Sequence, residues 1–253
     1  MGITNIIVIL VLSTTIIWDL VCGEELAPYL KVCSRHDKDF SGCLKRSIDA
    51  LKPIFVNGDP SRDVPSLEPL DVGDLLIGDF AGSSAVGIRI SATNIKAHGA
   101  SNFELTKIRG DFDTLTFHFE VFLPHIEATG NYGVNGNILL LPIRGNGPFV
   151  ASFDNCTGKA VMIGKTFQKD GRNMLGIDKM NIKIKIGKGK IDLKNLFGGD
   201  KTLGTIINQT INSNFEILSQ EIAPLIEKAL SKLFIKISNK IVDRYTVEQL
   251  YPE

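Results

Sequence analysis

Four histidines, His36, His98, His118 and His125, are the side chains of this 253-residue chain best suited to move a proton or hold a metal near neutral pH. They are dispersed, and no His-Glu-x-x-His pair sets two of them on one helix face, so their spacing supports no metal site. Residues 82–87 read Gly-Ser-Ser-Ala-Val-Gly, but neither Ser83 nor Ser84 has the glycines two residues before and after that a nucleophile elbow requires. Gly187-Lys188-Gly189-Lys190 lacks both the earlier glycine and the following Ser or Thr of a phosphate-binding loop. Asp111 and Asp113 share a face if the segment is extended, yet no apolar surroundings or partner mark them as an acid/base pair. The residues therefore name no catalytic group and no cofactor, and the chain is read as a non-enzyme.

The remaining reactive groups point to a compartment. Residues 6–17 form an apolar run interrupted only by Ser13, Thr14 and Thr15, and Val21-Cys22-Gly23 offers a cleavage point before Glu24. That pattern predicts a secretory signal peptide over 1–23, too short for a comfortable membrane span, and one domain over 24–253. With Cys22 removed, Cys33 and Cys43 make the best local disulfide in an oxidising route, and Cys156 is left as a buried thiol or an intermolecular partner. Asn155-Cys156-Thr157 and Asn208-Gln209-Thr210 match the glycosylation acceptor pattern. Asn155 is the better candidate, because Asp-Asn-Cys-Thr-Gly reads as a turn.

Charge narrows the partners. Lys and Arg number 28 against 28 Asp and Glu, a balance that argues against a general nucleic-acid binder. Lys179, Lys183, Lys185, Lys188 and Lys190 form the strongest basic patch, and no aromatics alternate with them as base-stacking would need. The patch hydrates one side of a strand hairpin or makes transient contact with an anionic membrane or acidic partner.

The elements that must position these groups follow from periodicity. Leu44, Ile48 and Leu51 predict a short amphipathic helix over 41–51 that Pro53 ends. Beyond it Val64, Leu67 and Leu70 anchor a proline-punctuated wrap. From about 75 to 193 the period is two: Leu115, Phe117, Phe119, Val121 and Leu123 alternate with Thr116, His118 and Glu120, and Ile182, Ile184 and Ile186 alternate with Lys183 and Lys185. Glycine- and asparagine-rich turns at 130–136, 145–147 and 154–158 are expected to separate strands of an antiparallel meander.

After residue 203 the period changes to 3.6. Leu203, Ile206, Ile207, Ile211, Phe215, Leu218, Ile222, Leu225, Ile226, Ala229, Leu230, Leu233, Phe234, Ile237 and Ile241 define one apolar stripe over 203–241, a helix roughly 55–60 Å long if unbroken. Pro224 is expected to kink or divide it. So wide a stripe needs cover, and a strongly curved antiparallel sheet wrapped around the helix would supply it. An apolar space between them would favour a small lipophilic ligand, although a completely packed core produces the same pattern.

Taken together, Cys33 and Cys43 around a short N-terminal segment, Gly58 with Val64-Pro65-Ser66-Leu67-Glu68-Pro69-Leu70, Gly130-Asn131-Tyr132-Gly133-Val134-Asn135-Gly136 with Leu141-Pro142-Ile143, and Leu196-Phe197-Gly198-Gly199-Asp200-Lys201 before Leu203-Gly204 resemble the insect takeout and juvenile-hormone-binding protein family. The similarity spans about 33–252. It implies an α+β, tubular lipid-binding-like fold: a curved sheet around a long C-terminal helix with an apolar tunnel. It further implies a secreted, noncovalent carrier of a terpenoid, juvenile-hormone-like molecule or fatty compound, with no stable membrane insertion and at most transient membrane or receptor contact. Tyr132 matches a family tyrosine able to orient a ligand oxygen, and Phe117, Phe119, Phe215, Leu218, Ile222, Leu225 and Ile226 are the expected liners. No cysteine follows Cys156 to complete the hormone carriers' second disulfide, which favours the takeout-like branch. The alternative is a secreted structural or signalling protein whose core is filled by side chains.

Overall fold

The computed structural model describes residues 24–77, 86–138 and 141–253. The expected signal peptide and the serine-containing segment 82–87 fall wholly or mostly outside the described residues. Helix α1 (Phe40–Asn57) is followed by strands β1 (Leu70–Ile77), β2 (Val86–His98), β3 (Glu104–Asp111), β4 (Thr116–Ile138), β5 (Leu141–Lys169), β6 (Arg172–Lys185) and β7 (Lys188–Leu193). Helices α2 (Lys201–Ser213), α3 (Phe215–Val242) and the single turn α4 (Val247–Leu250) close the chain.

The antiparallel hairpin β4–β5 is the spine of the sheet, paired in a single register from Thr116↔Ile163 to Ile138↔Leu141. On its other edge β4 pairs first with β3 and then with β2, and β2 pairs with β1. The far edge of β5 is shared in the same way, by β7 at 149–154 and by β6 at 157–169. Along the longest path the order is β1-β2-β4-β5-β6, and among the described residues no pairing returns from β6 to β1.

This order corrects the expected architecture. The fold is α+β with an antiparallel sheet and C-terminal helices, but the sheet is neither closed nor strongly curved around a central helix. Instead the helices lie along sheet edges. The Asn212 side chain accepts from the Ile191 N–H at 2.8 Å and donates to the Ile191 carbonyl at 2.9 Å, and Asn208 does the same to Leu193 at 2.9 and 3.0 Å. These two α2 residues, four apart and thus on one helix face, occupy the free edge of β7 much as another strand would. Asn239 of α3 repeats the arrangement on Ile177 of β6, at 2.6 and 3.0 Å.

Three local expectations also change. The glycine-rich segments at 130–136, 145–147 and 154–158 end no strand; they lie inside β4 and β5. A β-carbon on Gly147 would stand 2.7 Å from the Lys194 carbonyl, and one on Gly130 would stand 2.8 Å from the Phe149 ring, so missing side chains allow close approach there rather than a turn. Pro53 does not end α1, which runs to Asn57 and stops at Gly58, where φ is 73° and the N–H donates to Ile54. Pro224 lies within α3 without dividing it; the break falls at Asn214, whose side chain donates to the Thr210 carbonyl at 2.8 Å and so competes with the helical ladder.

Alternation within the strands is retained. Phe117 is buried while His118 is exposed, and Lys183 and Lys185 are exposed beside half-buried Ile182, Ile184 and Ile186. Val64 and Leu70 are buried, and the Leu67 N–H donates to Phe55, which fixes the segment after α1 against it. Cys33 and Cys43 form a disulfide that joins the N-terminal segment to α1.

Candidate functional site

The apolar stripe of α3 is the feature closest to a binding surface. In a helix whose stripe packs fully, the inward side chains are buried; here, among the apolar side chains of α3, only Leu218 is. Ile222, Leu225, Ile226, Leu230, Leu233, Phe234, Ile237 and Ile241 are all half-exposed although they repeat at helical spacing. The cause is the edge placement of α3: Asn239 and Glu227 tie it to β6, and the sheet does not curl over the rest.

Glu227 is the second anchor. It is 7 % exposed, and its carboxylate accepts from the Ile184 N–H at 3.0 Å and from the Lys183 ammonium at 2.7 Å. Beside it a groove of about 550 Å³ runs between the end of β6 and the first turns of α3, lined by residues including Ile184, Lys185, Ile186, Gln220, Ala223 and Pro224. Pro224 has no N–H for the Gln220 carbonyl, so a polar acceptor stands at the groove wall without its usual helical donor.

The expected liners fall into four places. Tyr132 and Leu218 belong to a packed cluster with Val134, Ile143, Leu196, Ile207 and Ile211, where α2 meets the sheet. Burial pushes the Tyr132 phenol up to about 12, so it remains a neutral donor, and that donor is engaged by the Lys194 carbonyl at 2.6 Å. Phe215 lies on Phe153, with ring centroids 6.1 Å apart, and over Gly189, where a β-carbon would stand 2.0 Å from the ring. Phe117 is buried against Tyr251, 15 residues from Tyr132 along one strand, or about 50 Å of strand path. Phe119 is half-buried two residues further. Only Ile222, Leu225 and Ile226 lie on the half-exposed stripe, so one small molecule does not reach the whole expected set.

Other candidates are dispersed as well. Asp111 accepts from the Thr114 N–H at 3.2 Å, which holds its carboxyl below the usual range, and it caps a turn rather than pairing with Asp113. His125 contacts Asp154 at 2.6 Å on an exposed strand pair, and His98 lies 3.9 Å from Glu68. Among the described residues no group of three or more His, Cys, Asp or Glu gathers to hold a metal, and no helix is long and apolar enough to cross a membrane. Cys156 is a free, half-buried thiol whose pKa burial raises.

The glycosylation candidates occupy different settings. Asn155 is exposed, with φ of 54°, whereas both polar atoms of the Asn208 amide bond the Leu193 backbone. Glycan transfer needs an accessible amide nitrogen, so glycosidase treatment followed by mass spectrometry of secreted protein is expected to show occupancy at Asn155 and none at Asn208. A glycan mapped to Asn208 would contradict this.

Asn212, Glu227 and Asn239 were not singled out by periodicity. The signal that identifies Asn212 is a polar pair at helical spacing: Asn208 and Asn212 at i and i+4, facing a strand edge.

Comparison with known proteins places the chain. The family description haemolymph juvenile hormone binding protein matches residues 6–252. The circadian clock-controlled protein daywake of Drosophila melanogaster is 27 % identical over 221 residues, covering 85 % of this chain and 84 % of that protein. A putative beta-carotene-binding protein of Schistocerca gregaria is 20 % identical over 216 residues, covering 85 % and 84 %. The crystal structure of Epiphyas postvittana Takeout 1 shares the fold, with a TM-score of 0.74 at 22 % identity over 88 % of this chain and 100 % of that one.

Proposed function

Because the chain belongs to the haemolymph juvenile hormone binding protein family, on its takeout-like side, whose members carry lipids and are not enzymes, we propose that it is a secreted, noncovalent carrier of one small lipophilic molecule. Residues 24–253 act as one binding domain, with 1–23 removed on secretion. The ligand lies along the apolar stripe of α3, against Ile222, Leu225 and Ile226, and extends toward Leu230 and Phe234. The observation that carries this reading is the half-exposure of that stripe, since apolar side chains so arranged gain when a ligand excludes water from them. Covering about 200 Å² of apolar surface contributes roughly 5 kcal/mol before the costs of binding.

If the ligand's polar end reaches the packed cluster that holds Tyr132, the Tyr132 hydroxyl constrains its chemistry. Its proton is engaged by Lys194, so its oxygen is left to accept. A ligand that meets Tyr132 therefore donates a hydrogen bond, as a hydroxyl or carboxylic acid does; an ester or epoxide would have to displace the Lys194 contact. The named relative in Schistocerca gregaria is described as binding beta-carotene, and an apolar isoprenoid is within the class proposed here.

Lipid extraction and mass spectrometry of protein purified from a secreting host test the reading. A lipophilic molecule is expected at near-stoichiometric amount, and replacement of Ile222 and Ile226 by Asp is expected to cut uptake of a fluorescent fatty-acid probe by about tenfold or more. Repeatedly empty protein that takes up no probe would sink the carrier reading and favour a filled-core interaction protein.

A further inference from the structure

The basic patch seen in the sequence gains a second row from the fold. Helix α3 carries Lys228, Lys232 and Lys236 at intervals of four, all exposed, and the only acidic residue between 225 and 242 is the buried Glu227. The bonds Glu227–Ile184 and Asn239–Ile177 lay this part of α3 antiparallel along β6 over about 18 Å of helix. Exposed Lys179 and Lys185 of β6 sit within two residues of those contacts, so two lysine rows run side by side. Among the described residues none of these five lysines has an ion-pair partner, whereas Lys183 is neutralised by Glu227. A chain of zero formal charge has thus concentrated lysines on one face, next to a groove whose lining includes Ile184, Ile186, Pro224 and Glu216.

We propose that this face docks the protein on anionic phospholipid membranes, bringing the groove to the bilayer surface where a lipophilic ligand is loaded or released. Charge complementarity selects the partner: a row of lysines on long flexible stems suits a laterally fluid array of phosphate and carboxylate headgroups, which needs no fixed geometry. Basic residues beside a bilayer are each worth about a fivefold gain in binding, and the gain fades beyond a Debye length of about 8 Å at physiological salt. Docking is therefore weak and reversible. That suits a carrier which must leave again, and it rests on the proposed function only for its purpose, not for its chemistry.

Sedimentation with vesicles of phosphatidylcholine containing about 30 % phosphatidylserine, against phosphatidylcholine alone, tests it. Binding is expected only to the anionic vesicles and is expected to fall steeply with added salt. The triple variant Lys228→Glu, Lys232→Glu, Lys236→Glu should lose about a hundredfold or more in vesicle affinity. A control with the same charge change elsewhere, Lys31→Glu, Lys38→Glu, Lys201→Glu, should lose far less, and unchanged melting of both verifies folding. Equal binding to both vesicle types, no binding to either, or equal loss in the two triple variants would overturn the proposal. Lipid extraction on the same samples separates the readings: empty protein that binds anionic vesicles overturns the carrier and keeps the docking face, and loaded protein that ignores them does the converse.

Discussion

Asn239→Leu is expected to lower stability by about 3 kcal/mol, a fall of roughly 6–12 °C in melting temperature for a chain of this size. The side chains are close in volume, so packing changes little. What is lost is the amide that accepts from the Ile177 N–H at 2.6 Å and donates to its carbonyl at 3.0 Å. Ile177 is 4 % exposed, so both of its edge-facing backbone groups are left without a partner where water reaches them poorly. Asn239→Asp separates the two halves of the effect: it keeps the acceptor for the N–H but sets a carboxylate against the carbonyl, and it too should destabilise. A Leu variant that melts within about 2 °C of the parent would show that the edge of β6 finds other partners.

Replacing Glu227 gives a ranking rather than a single loss. Glu227→Ala removes the acceptor of the Ile184 N–H and the partner of Lys183, and about 2–3 kcal/mol is expected to go with them. Glu227→Gln keeps an oxygen for the N–H and gives up only the ion pair. The Lys183 side chain is 78 % exposed, so solvent already screens that pair and its share is under about 1 kcal/mol. The alanine variant should therefore melt well below the glutamine variant in thermal denaturation. If the two fell equally, the ion pair rather than the backbone contact would hold α3 to β6. In either variant a loosened α3 should also change probe uptake, because the half-exposed stripe and the anchor belong to one helix.

Both variants act on the contacts that decide where the helices sit, and these were the least legible part of the molecule. Residues 203–241 announce a helix by their period, and 115–123 announce a strand by theirs, because the side-chain directions of helix and strand are local geometry. The disulfide between Cys33 and Cys43 was legible for a similar reason: the two residues are close in sequence and have no competing nearby cysteine. The glycines of β4 and β5 misled, since a missing β-carbon serves a turn and a close approach equally well, and only the neighbour at Gly130 or Gly147 distinguishes them. The break at Asn214 rather than at Pro224 misled too. A proline removes one helical bond that a long helix can forgo, whereas an asparagine that bonds back to Thr210 ends the first segment.

The candidate site divides along the same line. Ile222, Leu225 and Ile226 were legible as members of one helix face because they belong to the periodic stripe. Tyr132 and Leu218 share that apolar character but are packed among protein atoms, and Phe117 lies at the other end of β4. Hydrophobicity states that a side chain leaves water; it does not state whether a neighbour, a ligand or nothing replaces the water.

By itself, then, the sequence determined the element types, the N-terminal disulfide pair, the family and the absence of any spacing suited to catalysis, all of which follow from local periodicity or from motifs read in one dimension. Only the tertiary structure decided that the sheet stays open, that α2 and α3 dock on its edges through Asn208, Asn212, Glu227 and Asn239, and that the stripe of α3 is left half-exposed beside two rows of lysine. The physical reason is that a backbone N–H at a strand edge can be satisfied by another strand, by a side chain or by water. That choice is made by whatever the fold brings within about 3 Å, which no local pattern specifies.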